Sequence, residues 1–184
     1  MEAASEVGWK RGALLRLEEA SALWARFAEA RQLRYGATFA MPRLEGRVER
    51  TDVAVVAVGN VFEGFRTRAT ASAKVPLAGK LRVAPPNDWD EILAFLKRGF
   101  FDEPSLDRML VVKASSKSLA RTLLDTRVVQ TVRALAPGRL HLSYVDGAIA
   151  LEWAGVERSF ANLDDVLDVL AYLAVQGSET DPYR

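Results

Sequence analysis

Apolar residues recur at helical spacing near the start of the chain: Leu17, Ala20, Trp24, Phe27 and then Ala30 or Arg31, with Leu14 and Leu23 widening the stripe. This pattern predicts a core-facing helix over 11–34, with Gly36 as its C-cap and Pro42 preventing continuation. From Arg47 to Val83 the period drops to two. Val53–Val58 is a near-continuous apolar run of the kind expected in a central strand. Gly59-Asn60 supplies a turn, and Gly64 marks a bulge or a longer loop. Phe65–Val75 then alternates. Phe65, Ala69, Ala71, Ala73 and Val75 take one face, and Arg66, Arg68, Thr70, Ser72 and Lys74 take the other. Lys80–Ala84 reads as a short strand ended by Pro85-Pro86.

The second half begins with Asp88-Trp89-Asp90-Glu91, a capping box that opens a helix stopped by Gly99. Residues 100–107 read as a loop around Pro104, and Met109–Lys113 as a strand. Two short helices, Ser116–Leu124 and Thr126–Leu135, break near Asp125 and end at Pro137-Gly138. Arg139–Val145 and Ala148–Trp153 flank Asp146-Gly147, a type I′ hairpin signal. A two-residue loop fixes the register: Tyr144 faces Ile149, Leu142 faces Leu151, Leu140 faces Trp153, Ser143 faces Ala150, and His141 faces Glu152. Asn162 then caps a last helix whose buried stripe is Leu163, Val166, Leu167, Leu170 and Leu173. The tail 177–184 is expected to fray.

Together these elements predict an α+β fold: an antiparallel sheet of about six strands with the N- and C-terminal helices packed on its apolar face. The length of 184 residues suits one domain over 1–184, with 1–99 and 100–184 as candidate subdomains.

The stretch Leu106-Asp-Arg-Met-Leu-Val-Val-Lys113, followed by Ala120-Arg-Thr-Leu-Leu-Asp125, the Asp-Gly hairpin and a Leu-rich terminal helix, resembles a family of uncharacterised bacterial domains of unknown function. In that family a strand opening with Phe-Asp precedes a short helix ending in Leu-Leu-Asp or Leu-Leu-Thr, after a β-rich segment. The resemblance spans most of residues 35–176. It implies the same element order and no activity, and this chain has Leu106 where the family usually shows Phe.

Composition narrows the chemistry. The chain has no Cys and one His, which excludes disulfides, thiolate nucleophiles, Cys-based zinc sites and paired-His metal sites within one chain. We therefore expect no metal and no cofactor, and a reducing, cytoplasmic setting. The longest uncharged runs, Val53–Phe62 and Val169–Ser178, are too short for a membrane helix. Met1-Glu-Ala-Ala-Ser-Glu6 lacks the basic and apolar regions of a signal peptide. The net charge of +1 hides a basic first half and an acidic second half, a weak pointer to an anionic partner.

Four motifs come close to known chemistry and fall short. Gly59-Asn-Val-Phe-Glu-Gly64 has P-loop glycine spacing, but Phe65-Arg66 follows in place of Lys-Ser/Thr and the chain continues as strand. Asp164-Asp165-x-x-Asp168 matches a Mg²⁺–diphosphate spacing, yet its first two carboxylates sit where the helix dipole favours them anyway. Ser115-Ser116-Lys117-Ser118 lacks a Ser-x-x-Lys, because Ala114 stands at the Ser position. His141 opposite Glu152 could form an acid–base pair, since a carboxylate raises a histidine pKa, but no nucleophile is placed beside it.

Arg66, Arg68 and Lys74 on one strand face are the candidate binding residues, for an anion or nucleic acid. No aromatic residue is interleaved with them to stack bases. No catalytic set emerges. The expected function is a non-catalytic cytoplasmic module acting through protein–protein contact or self-association, with Trp9, Trp89 or Phe100-Phe101 as candidate apolar anchors. Nucleic-acid or anion binding on the basic sheet face, and an enzyme of unknown class, are the alternatives.

Overall fold

The computed structural model describes residues 2–60, 62–86, 100–101 and 104–179. Helix α1 (Glu2–Arg31) leads into a four-strand meander: β1 (Arg34–Thr38), β2 (Met41–Val48), β3 (Thr51–Asn60) and β4 (Gly64–Ser72). Strand β5 (Lys80–Ala84) follows, then helix α2 (Pro104–Met109), strand β6 (Val111–Ala114) and helices α3 (Lys117–Leu123) and α4 (Thr126–Leu135). The hairpin β7 (His141–Val145) and β8 (Ala148–Ala154) and the long helix α5 (Phe160–Glu179) complete the order. All eight strands form one antiparallel sheet ordered β1-β2-β3-β4-β8-β7-β5-β6. Strands from both halves of the chain interleave in it, because β4 pairs with β8 and β5 with β7.

The α+β class with an antiparallel sheet and flanking helices is as the sequence indicates. The strand count is not: eight strands are present rather than about six. The two unforeseen strands are β1 and β2. All five residues of β1 are exposed, so it carries no alternating burial to betray it. Pro42, read as a helix stop, lies inside β2 opposite Ala37, and Gly36 lies inside β1 instead of capping α1. Helix α1 closes at Gln32, which adopts a left-handed φ of 55°, with the Leu33 amide donating to Ala28 O at 2.8 Å. Its buried stripe is Leu17, Ala20, Trp24, Phe27 and Ala28, whereas Leu14 is exposed.

Residues 104–109 are helical, not loop: Pro104 starts α2, where its missing N–H is not needed. The strand expected over 109–113 begins at Val111. Helix α5 begins at Phe160 and is capped by Ser159, whose Oγ accepts from the Asn162 amide at 3.2 Å; Asn162 itself lies in the first turn. The helix expected after Asp88 lies outside the described residues, as does the tail beyond Glu179.

The β7–β8 hairpin carries the expected register from His141↔Glu152 to Tyr144↔Ile149, and Asp146 and Gly147 have φ of 46° and 92° as a type I′ turn requires. The core lies between the sheet and the helices. A row running Leu44–Val55–Ala69–Leu151–Leu142–Val83 across the strands meets Trp24 and Phe27 of α1 and the Leu163–Leu173 stripe of α5. No helix among the described residues is long and apolar enough to cross a membrane.

Candidate functional site

Because side chains alternate across a strand, the register that buries the Leu44–Val83 row sends the neighbouring positions to the opposite face. Arg43, Val56, Arg68, Glu152 and His141 form one such row, and Glu45, Ala54, Thr70, Ala150, Ser143, Arg82 and Lys113 form the next. Every described residue of β2, β3, β4, β7 and β8 that points this way is exposed or half-buried. The face is mixed: Arg43, Arg47, Arg66, Arg68, Arg82 and Lys113 are interleaved with Glu45, Asp52, Glu152 and small apolar residues.

Of the candidate binding residues, Arg66 and Arg68 do lie together on this open face. Lys74 does not join them, because β4 ends at Ser72 and Lys74 falls in the following loop. Arg66 is committed: its Nη1 donates to Glu152 Oε1 at 3.0 Å across β4 and β8. Arg43 and Arg34 both engage Glu45, and Arg47 engages Asp52 at 3.3 Å.

At the rim where β4 begins beside β8, β7 and β5, the face dips into a concavity of about 540 Å³. Its charged and titratable lining is Glu63, Arg66, Arg82, Lys113, Arg139, His141 and Glu152, with Pro85 and Pro86 as part of its wall. His141 and Glu152 are cross-strand neighbours as the hairpin register demands. The electrostatic outcome reverses the expectation. Partial burial pushes the His141 pKa below its ordinary 6.5, Arg82, Arg66 and Arg139 push the same way, and only Glu152 opposes them. Among the described residues no hydroxyl hydrogen-bonds to the ring. Arg82, Arg139 and Lys113 were missed in the sequence. The Lys80/Arg82 alternation was visible, but that β5 lies against β7 was not.

The near-miss motifs resolve into structural roles. Asp164 and Asp168 both face Arg31, with Asp168 Oδ1 at 3.5 Å, so the acidic spacing ties α5 to the end of α1. Ser116 Oγ accepts from the Leu119 amide at 3.1 Å as the N-cap of α3. Gly59 and Asn60, read as a turn, end β3 and Gly64 opens β4, and Asn60 Oδ1 accepts from the Phe62 and Glu63 amides of the hairpin between them. Among the described residues no cluster of three acidic or His side chains could hold a metal ion.

A second polar centre went unread in the sequence. Glu157, which is 9% exposed, accepts from Trp153 Nε1 at 3.0 Å, Asn162 Nδ2 at 3.3 Å and the amides of Arg158 and Ser159 at 2.9 and 2.8 Å. Its backbone carbonyl accepts from Trp24 Nε1 at 2.8 Å, and its amide donates to Thr67 Oγ1 at 2.8 Å. Through its carboxylate and its backbone together this residue joins α1, β4, β8 and α5 at one point, which is a structural task.

No protein-family model matches the chain, and no curated protein matches it in sequence. In fold it is similar to the crystal structure of the mycobacterial trehalose monomycolate transport factor A, TtfA, with a TM-score of 0.55 at 12% identity over 85% of this chain and 93% of that chain.

Proposed function

We propose that the chain is a non-catalytic binding module, cytoplasmic in setting, that holds a protein partner against the open face of its sheet. The observation that carries this reading is the face itself. It spans β2 to β7 without a buried position, and it alternates guanidiniums, carboxylates and small apolar side chains. Such a mixture suits a protein surface of complementary charge pattern, where interleaved charges set register and reject wrong partners. A nucleic-acid backbone would have to pass Glu45, Asp52 and Glu152, and among the described residues of these strands the face offers no Phe, Tyr or Trp ring for bases. The zero cysteine count supports the cytoplasmic setting. The fold likeness to a transport factor carries no cargo over to this chain.

The test is site-specific photocrosslinking in cells, with the crosslinker placed at Ala150 on the open face and, as control, at Glu18 on α1. We expect one discrete crosslinked protein, or a second copy of the chain, from Ala150 only. Charge reversal by Arg43→Glu with Arg68→Glu should remove that product. Crosslinks that survive the double reversal unchanged would sink the reading.

A further inference from the structure

The concavity beside His141 has a chemistry separate from the rest of the face. Two carboxylates line it: Glu152 is paired with Arg66 at 3.0 Å, and Glu63 accepts from Asn60 Nδ2 at 3.1 Å. That leaves the guanidiniums of Arg82 and Arg139, neither of which is ion-paired to a described residue, and the His141 ring, which has no hydrogen-bond partner among them. The register brings these groups together. Arg82 lies opposite Ser143, diagonal to His141, within reach of a long side chain, and Arg139 precedes β7 by two positions. Arg139 also sits at φ 54°, ψ 54°, a left-handed conformation in which glycine would be unstrained.

We propose that this concavity binds a phosphate dianion, either free phosphate or the phosphate of a small monoester, between Arg82 and Arg139 with His141 as a further donor. Two guanidiniums on separate elements plus an imidazole supply donors to three oxygens from different sides. A carboxylate, with two oxygens, would satisfy only one of the forks. A volume of about 540 Å³ admits a sugar-sized group behind the phosphate. Before binding, burial and then Arg82, Arg66 and Arg139 lower the His141 pKa, opposed by Glu152. A dianion arriving among these cations reverses that balance, so binding takes up a proton at His141. The site is independent of the protein-docking reading, and either can fail alone.

His141 is the only histidine, so its ring resonances are assigned without ambiguity. Titration of the isolated protein with inorganic phosphate, followed by NMR at that ring, should give a saturable shift and a higher His141 pKa at saturation. Arg82→Ala should weaken binding about tenfold, the loss of one charge-assisted pair. Arg139→Gly should weaken it similarly while leaving the melting temperature equal or higher. Ribose 5-phosphate, run in parallel, separates the two sources: tighter binding than inorganic phosphate assigns a monoester, and equal binding assigns the free ion. A shift no larger than that from sodium chloride at matched ionic strength overturns the proposal. So does undiminished binding by both folded variants.

Discussion

At the scale of single residues, Glu157 is the most consequential position in the molecule. A nearly buried carboxylate is tolerable here because two amides, an indole and a side-chain amide all point at it. Truncation by Glu157→Ala leaves those donors unpaired, and we expect a loss of about 2–4 kcal/mol in urea-denaturation stability. Glu157→Gln keeps an acceptor oxygen and should lose less. Nothing in the local sequence Gly155-Val-Glu-Arg-Ser159 distinguishes this glutamate from a surface one. Its importance arises from Trp153 and Asn162, which the fold brings to its carboxylate, while Trp24 and Thr67 fix its backbone. His141 was legible as a cross-strand partner of Glu152, but its partial burial and its three arginine neighbours were not, and burial first, with the arginines, reverses the direction of its pKa. A histidine whose folded pKa lies below its unfolded value takes up its proton in the unfolded chain first. Stability therefore rises with pH from the folded value up to about 6.5 and is flat above it. Thermal melts between about pH 5 and 8 should show this slope in the wild type and a shallower one in His141→Gln.

At the scale of elements, legibility follows burial and turn chemistry. The β7–β8 hairpin was readable to the residue because Asp146-Gly147 accepts positive φ at both positions and one flank alternates fully. Gly147 meets a second demand that only the fold shows: a Cβ there would lie 2.5 Å from Pro76 Cβ. The turn is docked on the 73–79 loop, where Asp146 Oδ1 accepts from the Gly79 amide at 2.8 Å and Tyr144 Oη accepts from the Leu77 amide at 2.8 Å. Helices α3 and α4 were legible from Ser116 and Asp125, each of which accepts from an amide three residues on. The β1–β2 hairpin was hidden because its turn uses Phe39 and Ala40, at φ of 51° and 62°, in place of Asn-Gly. Phe39 is 96% exposed, so its ring adds no packing. Replacing the pair by Phe39→Asn and Ala40→Gly should raise stability by about 1 kcal/mol, read from the denaturation midpoint.

At the scale of the whole molecule, the class and the helix-covered face followed from hydrophobic period, whereas strand order did not. Period says which residues share a face; it does not say that β8 enters between β4 and β7, or that β5 lies outside β7. The candidate site inherits this limit. Arg66 and Arg68 belong to one strand and were found together, while Arg82 comes from a segment remote from that of Arg139 and His141. The open face also separates binding from folding. Arg43 and Arg68 are exposed, but their reversal to Glu breaks the Arg43–Glu45 pair and sets a carboxylate opposite Glu152, so it should cost about 1 kcal/mol per site or less while abolishing the crosslink. A cooperative melt of the double variant, lowered by several degrees at most, is the check that the lost crosslink reports docking.

The pairing of β4 with β8 has a further consequence for how the chain is made. As the polypeptide leaves the ribosome, the β1–β4 meander is complete while β8 has yet to be synthesised. Throughout that interval β4 offers an unpaired row of amides and carbonyls beside the bare apolar side chains of Val55, Ala69 and Ala71. A nascent chain in this state is a natural client for chaperones. Its yield in a host should depend on translation speed between residues 72 and 148 more than on the stability of the finished protein.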